Sequence, residues 1–87
     1  MAKYSITIHK NALRDRDKIE AVPALKKKVS QLIAVLENNP FTPPYEKLSG
    51  TLDGIYSRRI NKQHRLVYLV DEAIKEIKIL RMWTHYE

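Results

Sequence analysis

The chain has 87 residues, with 16 Lys and Arg against 10 Asp and Glu, for a formal net charge of +6. That length holds one domain built on a single modest core, and fractions of 44% hydrophobic and 30% charged residues exclude a disordered chain. Cysteine is absent, which excludes a disulfide framework and a thiolate metal site. The excess of positive charge favours an anionic partner, whether nucleic acid, an acidic protein or a membrane surface. No stretch approaches the 18 or more apolar residues of a membrane span. The start, Met1-Ala2-Lys3-Tyr4, lacks the apolar core of a signal peptide. The expectation is a single cytoplasmic domain over residues 1–87, with no membrane partner.

Tyr4 to His9 alternates, placing Tyr4, Ile6 and Ile8 on one face, as a half-buried strand does. Asn11 can cap a helix beginning near Ala12, but Arg14-Asp15-Arg16-Asp17-Lys18 leaves that helix a thin inner face, so it is expected to be short and exposed. Pro23 suits the first turn of a second helix. In it Leu25, Val29, Leu32, Ile33 and Leu36 form one apolar stripe at i, i+4, i+7, i+8 and i+11. Asn38-Asn39-Pro40 stops that helix. Phe41 to Tyr45 is held extended by Pro43 and Pro44. Three β-rich runs follow, Gly54 to Ile60, His64 to Asp71 and Lys75 to Trp83, joined by Asn61-Lys62-Gln63 and Asp71-Glu72-Ala73 as tight antiparallel connections. The order strand, two helices, three-stranded meander predicts an α+β fold. Two N-terminal helices pack on an antiparallel sheet of about four strands.

Glycine-rich phosphate loops and His-Glu-x-x-His are absent, and His9, His64 and His85 lack zinc-ligand spacing, so neither a metal nor another cofactor is expected. Basic residues with catalytic potential concentrate after residue 45. Tyr45-Glu46-Lys47-Leu48, then Gly54-Ile55-Tyr56-Ser57-Arg58-Arg59-Ile60, then His64-Arg65-Leu66-Val67-Tyr68, and finally Trp83-Thr84-His85-Tyr86 together resemble the YoeB family of the RelE superfamily. The resemblance covers roughly the C-terminal half, and its specificity lies in the ordered set. Residues 49–53 are less basic than is common in that family, and the chain runs one residue past His85-Tyr86, to Glu87.

The resemblance implies the toxin of a type II toxin–antitoxin system, a messenger-RNA endonuclease that works on the ribosome and is neutralised by an antitoxin. RNA carries its own nucleophile, the 2′-hydroxyl beside each phosphate. Cleavage then needs a base for that hydroxyl, an acid for the departing 5′-oxygen and positive charge around the phosphorus. By resemblance Glu46 is the general base, His85 the general acid and Arg65 the phosphate clamp. Arg59 and Tyr86 match positions that contact phosphate or place the RNA, and His64, beside Arg65, is counted with the substrate-binding residues. The implied partners are the ribosome with its message and an antitoxin whose acidic segment covers Arg59 and Arg65, with a homodimer or a toxin–antitoxin hetero-oligomer as the assembly.

The residues themselves leave alternatives. Arg65 shares a strand face with Val67 and Leu69 and opposes His64. It reads either as a bidentate phosphate donor at a pocket rim or as an arginine paired with a carboxylate at a strand end. Glu46, after two prolines, is expected in an extended loop. Arg58 and Arg59 point to opposite faces, so at most one shares a substrate with Arg65, and Arg59 is taken as that one. Tyr56, Tyr68 and Trp83 are assigned to the core or its edge. Lys26-Lys27-Lys28 is either a solvated helix face or a footprint for ribosomal RNA phosphates. Two rival functions remain: a ParE-like toxin that binds gyrase, and a non-catalytic nucleic-acid-binding module on the same scaffold.

Overall fold

The structure, a computed structural model, describes residues 3–47 and 54–82. Within them the element order is β1 (Ser5–Ile8), α1 (Lys10–Glu20), α2 (Pro23–Asn38), β2 (Glu46–Lys47), β3 (Ile55–Arg59), β4 (Arg65–Asp71) and β5 (Glu76–Arg81). The strands form one sheet in the order β1-β5-β4-β3-β2. The expected meander is present: β3 pairs antiparallel with β4, and β4 with β5. Two features differ from the expectation. β1 lies parallel beside β5, Ser5 opposite Glu76 and Ile8 opposite Ile79, so the sheet is mixed. Glu46 and Lys47, expected in a loop, form a fifth, two-residue strand against Ser57 and Tyr56.

The helices pack where the alternation directs them. Leu66, Tyr68 and Val70 of β4 and Ile77 and Ile79 of β5 are buried in one cluster with Ala12 and Ile19 of α1 and Val29 and Leu36 of α2. Leu25, Leu32 and Ile33 complete the α2 stripe as half-buried neighbours of that cluster. Each fully buried Leu or Ile contributes about 1.5–3 kcal/mol. Tyr68 is core and Tyr56 its edge, as expected. Opposite Val67 and Tyr68, the register skips Leu80, a bulge that bends β5.

α2 begins at Pro23 and stops at Asn39, whose N–H reaches Val35 O, as expected. α1 is longer than expected. Its cap is His9, not Asn11, with the imidazole Nδ1 accepting from the Asn11 N–H at 3.2 Å. Nor is its inner face merely thin. Asp15 is buried there and accepts from Arg81 Nε at 2.7 Å, from Arg81 Nη2 at 3.3 Å and from the Met82 N–H at 3.1 Å. Those bonds raise the Arg81 pKa and fasten α1 to the end of β5. The β3–β4 turn is closed by Asn61, whose Oδ1 accepts from the Gln63 and His64 N–H groups, each at 2.8 Å. At the entry to β3, Gly54 has φ +86°, and a Cβ there would lie 3.2 Å from Val70 O. Only glycine adopts that turn without strain.

Candidate active site

β2, β3 and β4 run side by side, and their registers bring charged residues together. Glu46 lies opposite Ser57, and Arg59 opposite Arg65. Ser57 and Arg59 share a face of β3 by the two-residue strand period. On that face Arg65 Nη1 stands 3.3 Å from Glu46 Oε1 and 3.4 Å from Ser57 Oγ. A cleft of about 420 Å³ opens here, lined by Glu46, Ser57, Arg59 and Arg65 from the sheet and by Lys28 and Leu32 from α2. Pro44, Tyr45 and Arg58 line it as well.

The two readings of Arg65 therefore meet in one contact, because the carboxylate that it pairs with belongs to Glu46. The Glu46 side chain is 64% exposed and that of Arg65 21%. An ion pair so open to water is worth at most about 1 kcal/mol. An incoming phosphate, which an arginine binds through two parallel hydrogen bonds, can draw the guanidinium away and leave the carboxylate beside it.

Arg58 and Arg59 do point in opposite directions. Arg59 is exposed at the cleft, whereas Arg58 is buried, only 3% exposed. Its guanidinium donates from Nε to Tyr68 Oη at 3.2 Å, from Nη1 to Pro44 O at 3.1 Å and from Nη2 to Pro40 O at 2.9 Å, with Thr42 O also accepting from Nη2. Tyr68 Oη in turn donates to Pro40 O at 3.2 Å. Burial raises the pKa of this tyrosine, partly offset by the neighbouring Arg58 cation, so the phenol keeps its donating proton. The loop from Pro40 to Pro44, which delivers Glu46 to β3, is thus clipped to the core by one side chain. An aromatic trio completes the loop's packing. Phe41 and Tyr56 meet edge to face with centroids 5.4 Å apart, and Tyr45 meets them in the same manner at 6.1 and 5.7 Å.

Glu46, Arg59 and Arg65 are thus brought into one cleft. His64 stands apart from its lining: half-buried, it supplies backbone atoms that close the β3–β4 turn, its O accepting from the Ile60 and Asn61 N–H groups. His85 and Tyr86 lie outside the described residues, as do Leu48, residues 49–53 and Trp83. Sequence reasoning passed over Ser57 and Tyr45 as cleft residues. The signals were there, since Ser57 sits two positions from Arg59 and Tyr45 is next to Glu46. Lys28, one of the three lysines left between two readings, is the one at the cleft. Among the described residues no three His, Asp or Glu side chains are grouped so as to hold a metal ion, and no helix is long and apolar enough to cross a membrane.

A family model of the YoeB-like toxins of bacterial type II toxin–antitoxin systems matches residues 14–86. The toxin YoeB of Synechocystis sp. is 37% identical over 65 residues, covering 72% of this chain and 73% of that protein. Among solved structures, the YoeB dimer from Staphylococcus aureus superposes with a TM-score of 0.84 at 36% identity, covering 98% of this chain and 100% of the other. The heterotetrameric YoeB–YefM toxin–antitoxin complex from the same organism matches with a TM-score of 0.80 at the same identity and coverage.

Proposed function

The chain belongs to the YoeB-like toxin family of bacterial type II toxin–antitoxin systems, and on that premise we propose that it is an endoribonuclease that cuts messenger RNA on the ribosome. The observation that carries the reading is the 3.3 Å contact of Glu46 with Arg65, in a cleft that also holds Arg59. A carboxylate paired with one guanidinium, in a cleft that holds a second, suits a phosphodiester that brings its own nucleophile. Glu46 takes the proton of the 2′-hydroxyl, and the 2′-oxygen attacks the adjacent phosphorus. Arg65 and Arg59 balance the charge that grows on the phosphoryl oxygens. As the bond from phosphorus to the 5′-oxygen breaks, His85 gives that oxygen its proton. The products are a 2′,3′-cyclic phosphate, or the 3′-phosphate from its hydrolysis, and a 5′-hydroxyl. The roles of His85 and of Tyr86, which places the RNA, rest on the family resemblance.

The same cationic cleft suits the acidic segment of a cognate antitoxin, which would cover Arg59 and Arg65 and exclude RNA. The complex known for the S. aureus relative supports such a partner, and the dimer of that relative supports a homodimer.

The test is single-turnover cleavage of ribosome-bound message. Glu46→Ala, Arg65→Ala and His85→Ala should each slow it about a hundredfold or more with thermal stability unchanged. Double variants should fall far short of additive, because the three groups serve one transition state. Near-full cleavage by both Glu46→Ala and His85→Ala would sink the assignment and leave a gyrase-binding toxin or a binding module. Products ending in 3′-hydroxyl and 5′-phosphate would refute attack by the 2′-oxygen.

A further inference from the structure

The cleft is larger than one scissile phosphate needs, and its second wall is built differently from the first. Tyr45 immediately precedes Glu46, and the residue is 37% exposed. Phe41 and Tyr56 pack against it at steep angles, 65° and 77° between ring planes. The Arg58 guanidinium carbon lies over the ring, 5.8 Å from its centroid. The buried Arg58 thus covers one face of the ring, and Tyr45 lines the cleft beside Glu46. Across from the sheet, α2 contributes Leu32 and Lys28 to the same cleft. One aromatic wall, one aliphatic patch and an exposed ammonium are what an unpaired nucleotide requires: a plane for the base and a cation for its phosphate.

We infer that Tyr45 and Lys28 form a nucleotide subsite adjoining the scissile position, with Tyr45 stacking the base of a flanking ribonucleotide and Lys28 binding that nucleotide's phosphate. The inference rests on the proposed ribonuclease reading and adds to it a base-binding platform outside the catalytic trio. The neighbouring Phe41 and Tyr56 hold the ring in place, so little side-chain freedom is lost on binding. Stacking accepts any base, so the subsite favours single-stranded over paired RNA and purines over pyrimidines only modestly.

The experiment measures Kd of the full-length protein for a 2′-O-methyl RNA pentanucleotide, which cannot be cleaved, and for the same strand carrying one abasic residue beside the central phosphate. Tyr45→Ala should weaken binding of the intact strand about tenfold, while Tyr45→Phe binds as the parent does. On the strand whose abasic position faces the subsite, parent and Tyr45→Ala should bind alike. Lys28→Ala should lower the slope of log Kd against log salt by about 0.7, one phosphate contact to a single strand. An equal loss on intact and abasic strands at every position overturns the subsite. So does loss in Tyr45→Phe, or a Tyr45→Ala defect confined to an acidic peptide, which would assign the ring to a protein partner. Because the strand cannot react, these outcomes are separate from the fate of the trio. Should neither strand bind the parent protein, the subsite is refuted, and cleavage of programmed ribosomes decides whether the ribonuclease reading falls with it.

Discussion

Among the described residues each side of the sheet holds one buried charge, and the two are satisfied in opposite ways. On the β1–β5 side Asp15, 3% exposed, meets a full counter-charge in Arg81. On the β2–β3 side Arg58, also 3% exposed, meets three backbone carbonyls and a phenol, and among the described residues no carboxylate. In the first case the ionic partner is 42% exposed and can turn to water if left alone. In the second the partners are carbonyls of a folded loop, two of those bonds reaching only part-buried atoms, and they cannot leave without unfolding that loop. A buried charge is tolerated when it is paired or fully hydrogen-bonded, but what is lost on its removal depends on whether the partner can escape.

The comparison predicts an order of damage. Arg58→Gln should be the most harmful, costing about 3 kcal/mol because several buried acceptors lose their donor at once. Arg58→Lys should rescue little of it, since one ammonium cannot match a planar fork. Urea denaturation measures both, and an Arg58→Gln variant as stable as the parent would show that water replaces the clip at no cost. Asp15→Ala should cost less, about 1–2 kcal/mol, mostly for the Met82 N–H left without its acceptor. Asp15→Asn should cost less still, because the amide oxygen can accept that bond. If Asp15→Ala proves worse than Arg58→Gln, the argument from partner mobility is wrong.

The smallest effect belongs to a third contact. Glu72 accepts from Lys75 Nζ at 2.7 Å and from Tyr4 Oη at 2.8 Å, and these bonds hold its pKa below the ordinary carboxylate value. A pKa depressed in the folded state contributes stability above the unfolded value, lost as pH falls through the folded one. Glu72→Gln should therefore leave acid stability below that window unchanged and remove a slight gain above it. Solvent exposure of about half of each side chain keeps the difference small. A stability difference constant from neutral to acid pH would exclude the linkage.

Much of this architecture was legible in the residues. The α2 stripe and the β3–β4–β5 meander follow from periods of 3.6 and 2, which are local signals. The parallel seating of β1 on β5 left no such signal, because a parallel pair is joined through the rest of the chain and not through a turn. Asp15 was obscured by its neighbours: among Arg14, Arg16 and Asp17 nothing local marks which charge faces inward. The opposite orientation of Arg58 and Arg59 followed from alternation, but the clip made by Arg58 did not, because its acceptors are backbone atoms without a residue signature. Of the cleft, Glu46, Arg59 and Arg65 were named through an ordered motif, while Lys28 arrives from a helix far earlier in the chain.

The place of β1 also has a consequence in time. Its partner is β5, so among the described residues β1 cannot pair until both helices and the three intervening strands have been made. At synthesis rates of about 5–20 residues per second, the nascent chain can coil its helices early, since their contacts are local. Its sheet closes only after β5 has cleared the ribosomal exit tunnel, a closure between segments far apart in the sequence. A toxin wired in this way completes its sheet only once β5 is free to pair, however early its helices have formed.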